Sequence, residues 1–142
     1  MQNNPIEAYL HTIDLKPKSI YIVHETIERH LPMHAHKKGQ LTYVEGGIAY
    51  ILTEKKTYYI PSRHYVWIPK GLAHIVKVRS SATVIRNLYF YSEDDANDPF
   101  YQKLGIYPVS TLLMEMIAFS SNWSGFIEKK DAAYHFLAAI KN

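Results

Sequence analysis

His34-Ala35-His36, Gln40 and the later run Pro69-Lys70-Gly71-Leu72-Ala73-His74 are the residues of this chain whose types and spacing could do chemistry. In an extended strand, side chains repeat on one face every second residue, so His34, His36 and Gln40 point the same way. A strand carrying His74 across from them would bring three imidazoles together, a donor set that zinc, nickel, copper and iron accept. The chain has no cysteine, so any such metal is held by nitrogen and oxygen donors.

The elements that must position these residues are short strands. Residues 20–91 are dense in Tyr, Val, Ile and Thr and are cut by turn chemistry at Lys37-Lys38-Gly39, Gly46-Gly47, Glu54-Lys55-Lys56, Pro61-Ser62, Pro69-Lys70-Gly71 and Arg79-Ser80-Ser81. Strands are expected at Ile20–Glu25, Leu41–Glu45, Ile48–Thr53, Thr57–Ile60, Tyr65–Ile68, His74–Arg79 and Thr83–Tyr91, with a hairpin around Glu54-Lys55-Lys56. The acidic stretch from Ser92 to Pro99 has no apolar period, and 92–107 reads as a loop.

After Pro108 the period becomes helical. Ser110 or Thr111 can cap a helix with Leu113, Met116, Ile117 and Ser120 on one face, and a second helix from Glu128 to Ile140 carries Leu137 on its stripe. The pair either covers the outside of the barrel or meets a second copy in a dimer interface through Leu113, Met116, Ile117, Ser120 and Leu137.

At 142 residues and 47% apolar content the chain suits one domain with a filled core: a barrel at about 20–91, the loop, then the helix pair to 142. The charge of +3 falls in separated pairs, Lys37-Lys38, Lys55-Lys56 and Lys129-Lys130, which read as solvated surface rather than a nucleic-acid patch. The N-terminus lacks the basic start and apolar run of a signal peptide, and no apolar run approaches about 20 residues. A cytoplasmic protein without membrane contact is expected.

Strand parity places Thr42 and Val44 with Gln40, and His74 opposite them. Tyr50 and Trp67 are added as walls of one small-molecule pocket formed by His34, His36, Gln40, Thr42, Tyr50, Trp67 and His74. Among the remaining histidines, His24, His30 and His64 could approach the same cavity.

The paired motifs resemble those of the cupin superfamily, antiparallel β-barrels of the jelly-roll type. Gln40 to Gly47, Tyr65 to His74 with its Trp-Ile-Pro-x-Gly-x-x-His phrase, Asn87 to Phe90 and the helix pair together resemble the N-terminal sensing domain of AraC-type bacterial transcription regulators over residues 20–142. The resemblance implies a mainly β fold, a cupin barrel followed by two C-terminal helices. It also implies binding of a small-molecule effector and homodimerisation, with DNA read by a C-terminal helix-turn-helix domain absent from this chain.

In the family pattern, His34, His36 and His74 match metal ligands. Gln40 stands where the family has a carboxylate, Arg63 where it has glycine, and Val78 where it has asparagine. A neutral amide leaves a bound ion with its full charge, so the implied metal set of His34, His36, Gln40 and His74 holds zinc, nickel or iron weakly, or has lost it. These departures favour sensing without catalysis. A metal-dependent cupin enzyme, a dioxygenase or isomerase, and a non-catalytic ligand-binding cupin remain the alternatives.

Overall fold

Runs of β-branched and aromatic residues between turns pair into two antiparallel sheets in a computed structural model that describes residues 13, 19–23, 33, 35, 37–78, 85–90, 99–123, 125–128 and 130–141. The strands are β1 (Ile20–Val23), β2 (Gly39–Val44), β3 (Ile48–Leu52), β4 (Thr57–Pro61), β5 (His64–Ile68), β6 (Ile75–Val78), β7 (Ile85–Phe90), β8 (Gly105–Pro108) and β9 (Gly125–Ile127). One sheet runs β8-β5-β2-β7-β1-β9 and the other β4-β3-β6. Helices α1 (Thr111–Phe119) and α2 (Ala132–Lys141) follow.

All seven expected strands are present among the described residues, with ends differing by one or a few positions. Two were missed. β8 arises inside the expected loop, pairing with β5 through Tyr65 and Tyr107, and β9 pairs with β1 in the break between the helices. Three or four residues are too few to show a period. The second helix starts at Ala132 rather than Glu128, because the Asp131 carboxylate accepts from the Glu128 N–H at 2.9 Å and turns the chain there.

Strand parity divides the core in two. Val44, Ala49, Ile51, Ile60, Val66, Ile68, Val76 and Ile85 fill the space between the sheets. On the other face of the large sheet Ile20, Ile22, Leu41, Trp67, Leu88 and Phe90 pack against Ile117, Leu137 and Ile140 of the helices. The helices therefore cover the barrel, the plainer of the two expected arrangements.

This corrects the expected dimer face. Ile117, Ser120 and Leu137 are wholly buried within the chain, the Ser120 hydroxyl donates to the Ile117 carbonyl, and Leu113 and Met116 pack on the same core. The large exposed apolar residues of α1 are Leu112 and Phe119, at 71% and 54% exposure.

One turn carries a conformation its sequence does not favour. Arg63, between β4 and β5, has φ 62°, the left-handed region that suits glycine. Its N–H donates to the Val44 carbonyl at 2.9 Å and its carbonyl accepts from Val109 at 3.0 Å, so the surrounding ladder holds it there.

Beside it on the outer face, Tyr43 and Tyr65 are cross-strand partners. Burial pushes the Tyr43 hydroxyl above its ordinary pKa of 10.0, Glu45 adds to this, and Arg63 and Arg86 oppose it. Burial and then Tyr107 push Tyr65 up in the same direction.

Two outcomes are expected. Ile117→Ala should cost about 2–5 kcal/mol in urea denaturation, whereas Leu112→Ala stays within about 0.5 kcal/mol; equal costs would refute the inward placement of α1. The unfolded chain loses its tyrosine protons near pH 10, before the fold does, so stability is intact below that pH and falls as pH rises through the folded values. Tyr43→Phe should make that alkaline fall shallower, as read from urea midpoints across alkaline buffers.

Candidate functional site

The barrel interior carries a polar end as well as an apolar one. β2 is buried along its whole length and is hydrogen-bonded to β5 on one side and β7 on the other. Gln40, Thr42 and Val44 face inward beside their β7 partners Tyr89, Asn87 and Ile85. Further along the same face Tyr89 adjoins Tyr21, with ring centroids at 5.9 Å, and Tyr21 adjoins Phe126 at 4.7 Å.

Gln40, Thr42 and Asn87 form a closed trio, each wholly buried. Gln40 Nε2 donates to Thr42 Oγ1 at 2.7 Å and to Asn87 Oδ1 at 3.1 Å, and Thr42 Oγ1 donates to Asn87 Oδ1 at 2.7 Å. The nitrogen of Gln40 is committed within the trio.

His74 enters from the opposite sheet. The Pro69-Lys70-Gly71 turn places Gly71 at φ 78°, Leu72 N–H donates to the Pro69 carbonyl at 3.3 Å, and His74 sits just before β6, wholly buried and in phase with inward-facing Val76. Its Nδ1 lies 2.8 Å from the Leu72 carbonyl. A carbonyl only accepts, so Nδ1 carries the proton and Nε2 is the nitrogen with a lone pair, the tautomer suited to a metal or to a ligand's donor.

Of the expected metal set, Gln40 and His74 are thus buried and inward, while His34 and His36 lie outside the described residues. Among the described residues no cluster of three or more His, Cys, Asp or Glu side chains gathers. Thr42 faces the interior.

Tyr50 and Trp67 do not, and this corrects the pocket. Tyr50 alternates with Ala49 and Ile51, which face inward, so it lies on the outer face of the small sheet against Tyr59. Trp67 alternates with inward Val66 and Ile68, packs under the helices, and donates from Nε1 to the Tyr101 carbonyl at 3.1 Å. His64 pairs with Val44, at the apolar end away from Gln40.

Sequence reasoning missed two interior residues. Lys38, read as half of a solvated pair, is 1% exposed, donates from Nζ to Ser19 Oγ at 3.0 Å and stands 5.1 Å from the Phe126 ring centroid. Its even offset from Gln40 was the available signal. Asn87 was hidden as a lone polar residue in an apolar strand.

Comparison with solved structures finds a similar fold elsewhere. Apo ToxT K231A from Vibrio cholerae superposes with a TM-score of 0.51 at 11% identity, over 88% of this chain and 49% of that one. The likeness to ToxT is one of fold. ToxT also matches when bound to (E)-4-(8-methylnaphthalen-1-yl)but-3-enoic acid, with a TM-score of 0.51 and 11% identity over 86% of this chain and 49% of that one. Bacillus subtilis oxalate decarboxylase, as its E162A mutant, aligns with a TM-score of 0.35 and 17% identity over 75% of this chain and 26% of that one. No family model and no curated protein matches. The chain spans about half the length of the ToxT chains it resembles. No helix among the described residues is long and apolar enough to cross a membrane.

The trio makes a stability prediction. Thr42→Val keeps the shape but removes the hydroxyl that both accepts and donates, and should cost about 1–3 kcal/mol. The same change at exposed Thr57 should cost less than about 0.5 kcal/mol. Indistinguishable urea curves for the two variants would count against the buried hydrogen-bonded trio.

Proposed function

We propose that this cupin-like barrel binds a small organic effector in its interior and serves as the sensing domain of an AraC-type transcription regulator. The observation that carries the reading is the buried polar trio Gln40, Thr42 and Asn87 at one end of an otherwise apolar interior. Convergent polar groups against apolar walls are the make-up of a small-molecule site. The side chains buried at that end are amides, a hydroxyl, an imidazole and an ammonium, which hold and orient a ligand. Glu45, the nearest carboxylate in sequence, is exposed and paired with Arg86 at 3.4 Å.

The fold shared with ToxT, one of whose structures holds a carboxylic acid, supports the same reading. In it, DNA contact belongs to a further part of the whole protein, and homodimerisation uses the exposed Leu112 and Phe119 side of α1 rather than the buried residues first expected. A cytoplasmic setting follows from this role.

His74 carries the second reading, a weakly held zinc, nickel or iron. His74 Nε2 and Gln40 Oε1 would be two ligands, completed by His34 and His36, and the ion would supply a Lewis-acidic contact for an anionic ligand.

Thermal unfolding of the protein with panels of sugars, small organic acids and amines tests the main reading. A ligand at a hundred times its Kd adds about 2.7 kcal/mol, a rise of roughly 5–10 °C for a domain of this size. A panel that leaves Tm unmoved in every class would sink the sensor reading. For the metal, elemental analysis should find a divalent ion in wild type and less in His74→Ala; equal, negligible contents in both would end that reading.

A further inference from the structure

We propose that Asn87 is the specificity-determining residue of the barrel interior and that it selects a compact apolar molecule presenting a carbonyl or carboxylate oxygen. This rests on the interior being an effector site and adds the chemistry of what it reads. Asn87 is wholly buried and faces inward between Ile85 and Tyr89. Its Oδ1 accepts from Thr42 at 2.7 Å and from Gln40 at 3.1 Å, which uses both lone pairs. Turning the Asn87 amide alone would set its NH2 against the donating NH2 of Gln40, so the trio fixes its orientation.

The remaining end of the amide is Nδ2, buried and without a hydrogen-bond partner among the described residues. It carries two N–H donors. Buried donors are satisfied in the great majority of native structures, and leaving one unmade is costly. A strand of Ile85, Leu88, Tyr89 and Phe90 could hold an apolar residue at this place, yet it holds an amide oriented by two neighbours.

An oriented pair of N–H donors bonds to an oxygen with lone pairs, not to an ammonium or another N–H. Val66, Ile68 and Ile85 on the same face match a short branched aliphatic body.

The test is NMR on the 15N-labelled protein, with the Asn87 side-chain NH2 pair assigned through its own Cβ. The probes share one carbon skeleton: isovalerate for a carboxylate, 3-methylbutan-2-one for a carbonyl, and isopentylamine for a donor. One or both acceptor probes should shift the Asn87 NH2 pair, their relative affinity saying which oxygen is preferred, and the amine should leave it in place.

Asn87→Asp keeps an oxygen toward Thr42 and Gln40 while replacing the donor with an acceptor. With folding checked by circular dichroism, it should lose about tenfold or more in affinity for the preferred acceptor probe. Should the variant unfold, the wild-type shifts decide alone. An NH2 pair unmoved by both acceptor probes, moved equally by the amine, in contact with an ordered water only, or an Asp variant that binds acceptors undiminished overturns the proposal. If other compounds raise Tm while Asn87 stays silent, the sensor reading survives and this inference fails; if nothing binds, both fail.

Discussion

Strand β2 is hydrogen-bonded along both edges and buried on both faces, and the rest of the architecture depends on that. Its inward residues Gln40 and Thr42 anchor the polar end of the interior, its outward residues Leu41 and Tyr43 seat the helix layer, and a slip of one residue would exchange the two sets. The trio with Asn87 adds a register constraint that apolar contacts alone lack. Amides and a hydroxyl have directional partners, so only one pairing of β2 with β7 satisfies them.

Much of the fold was legible in the sequence because its turns are chemically explicit. Gly46-Gly47, Glu54-Lys55-Lys56 and Pro69-Lys70-Gly71 each punctuate a strand where expected, and the last does so by placing Gly71 at positive φ. What was hidden shares one cause. In a barrel roofed by helices both faces of the large sheet are apolar, so alternation no longer distinguishes the interior from the roofed side. Trp67 is therefore assigned to the pocket although it points away from it, while Tyr50, on the small sheet, is misplaced because a tyrosine suits either face of a strand. Helix periodicity likewise identifies an apolar stripe without naming its partner, which is why Ile117, Ser120 and Leu137 could be read as a dimer face while they seal this chain's own core.

Lys38 and Arg63 show the opposite failure, in which a charged residue obscures its structural position. A lysine between turn residues reads as solvated, yet four methylenes can lie along apolar surface while the ammonium finds Ser19 and Phe126. Arg63 keeps a glycine's backbone conformation without being glycine, held by bonds to Val44 and Val109. The resemblance to cupins located that turn, and the departure from it marks where the ladder overrides local preference.

The hydroxyl of Tyr101 donates to the carbonyl of Lys141 at 2.9 Å, and the Lys141 ammonium stands 4.6 Å from the Tyr101 ring centroid and 5.8 Å from that of Trp67. Trp67 is the cross-strand neighbour of Leu41, which alternates with Gln40 and Thr42 on one backbone. A β-sheet is a single layer of chain and has no depth in which to absorb a displacement. An angstrom of movement imposed on β2 from within the barrel would reach the end of the last helix through the Trp67 and Tyr101 rings and the hydrogen bond to Lys141, making the sheet a diaphragm between the interior and that helix.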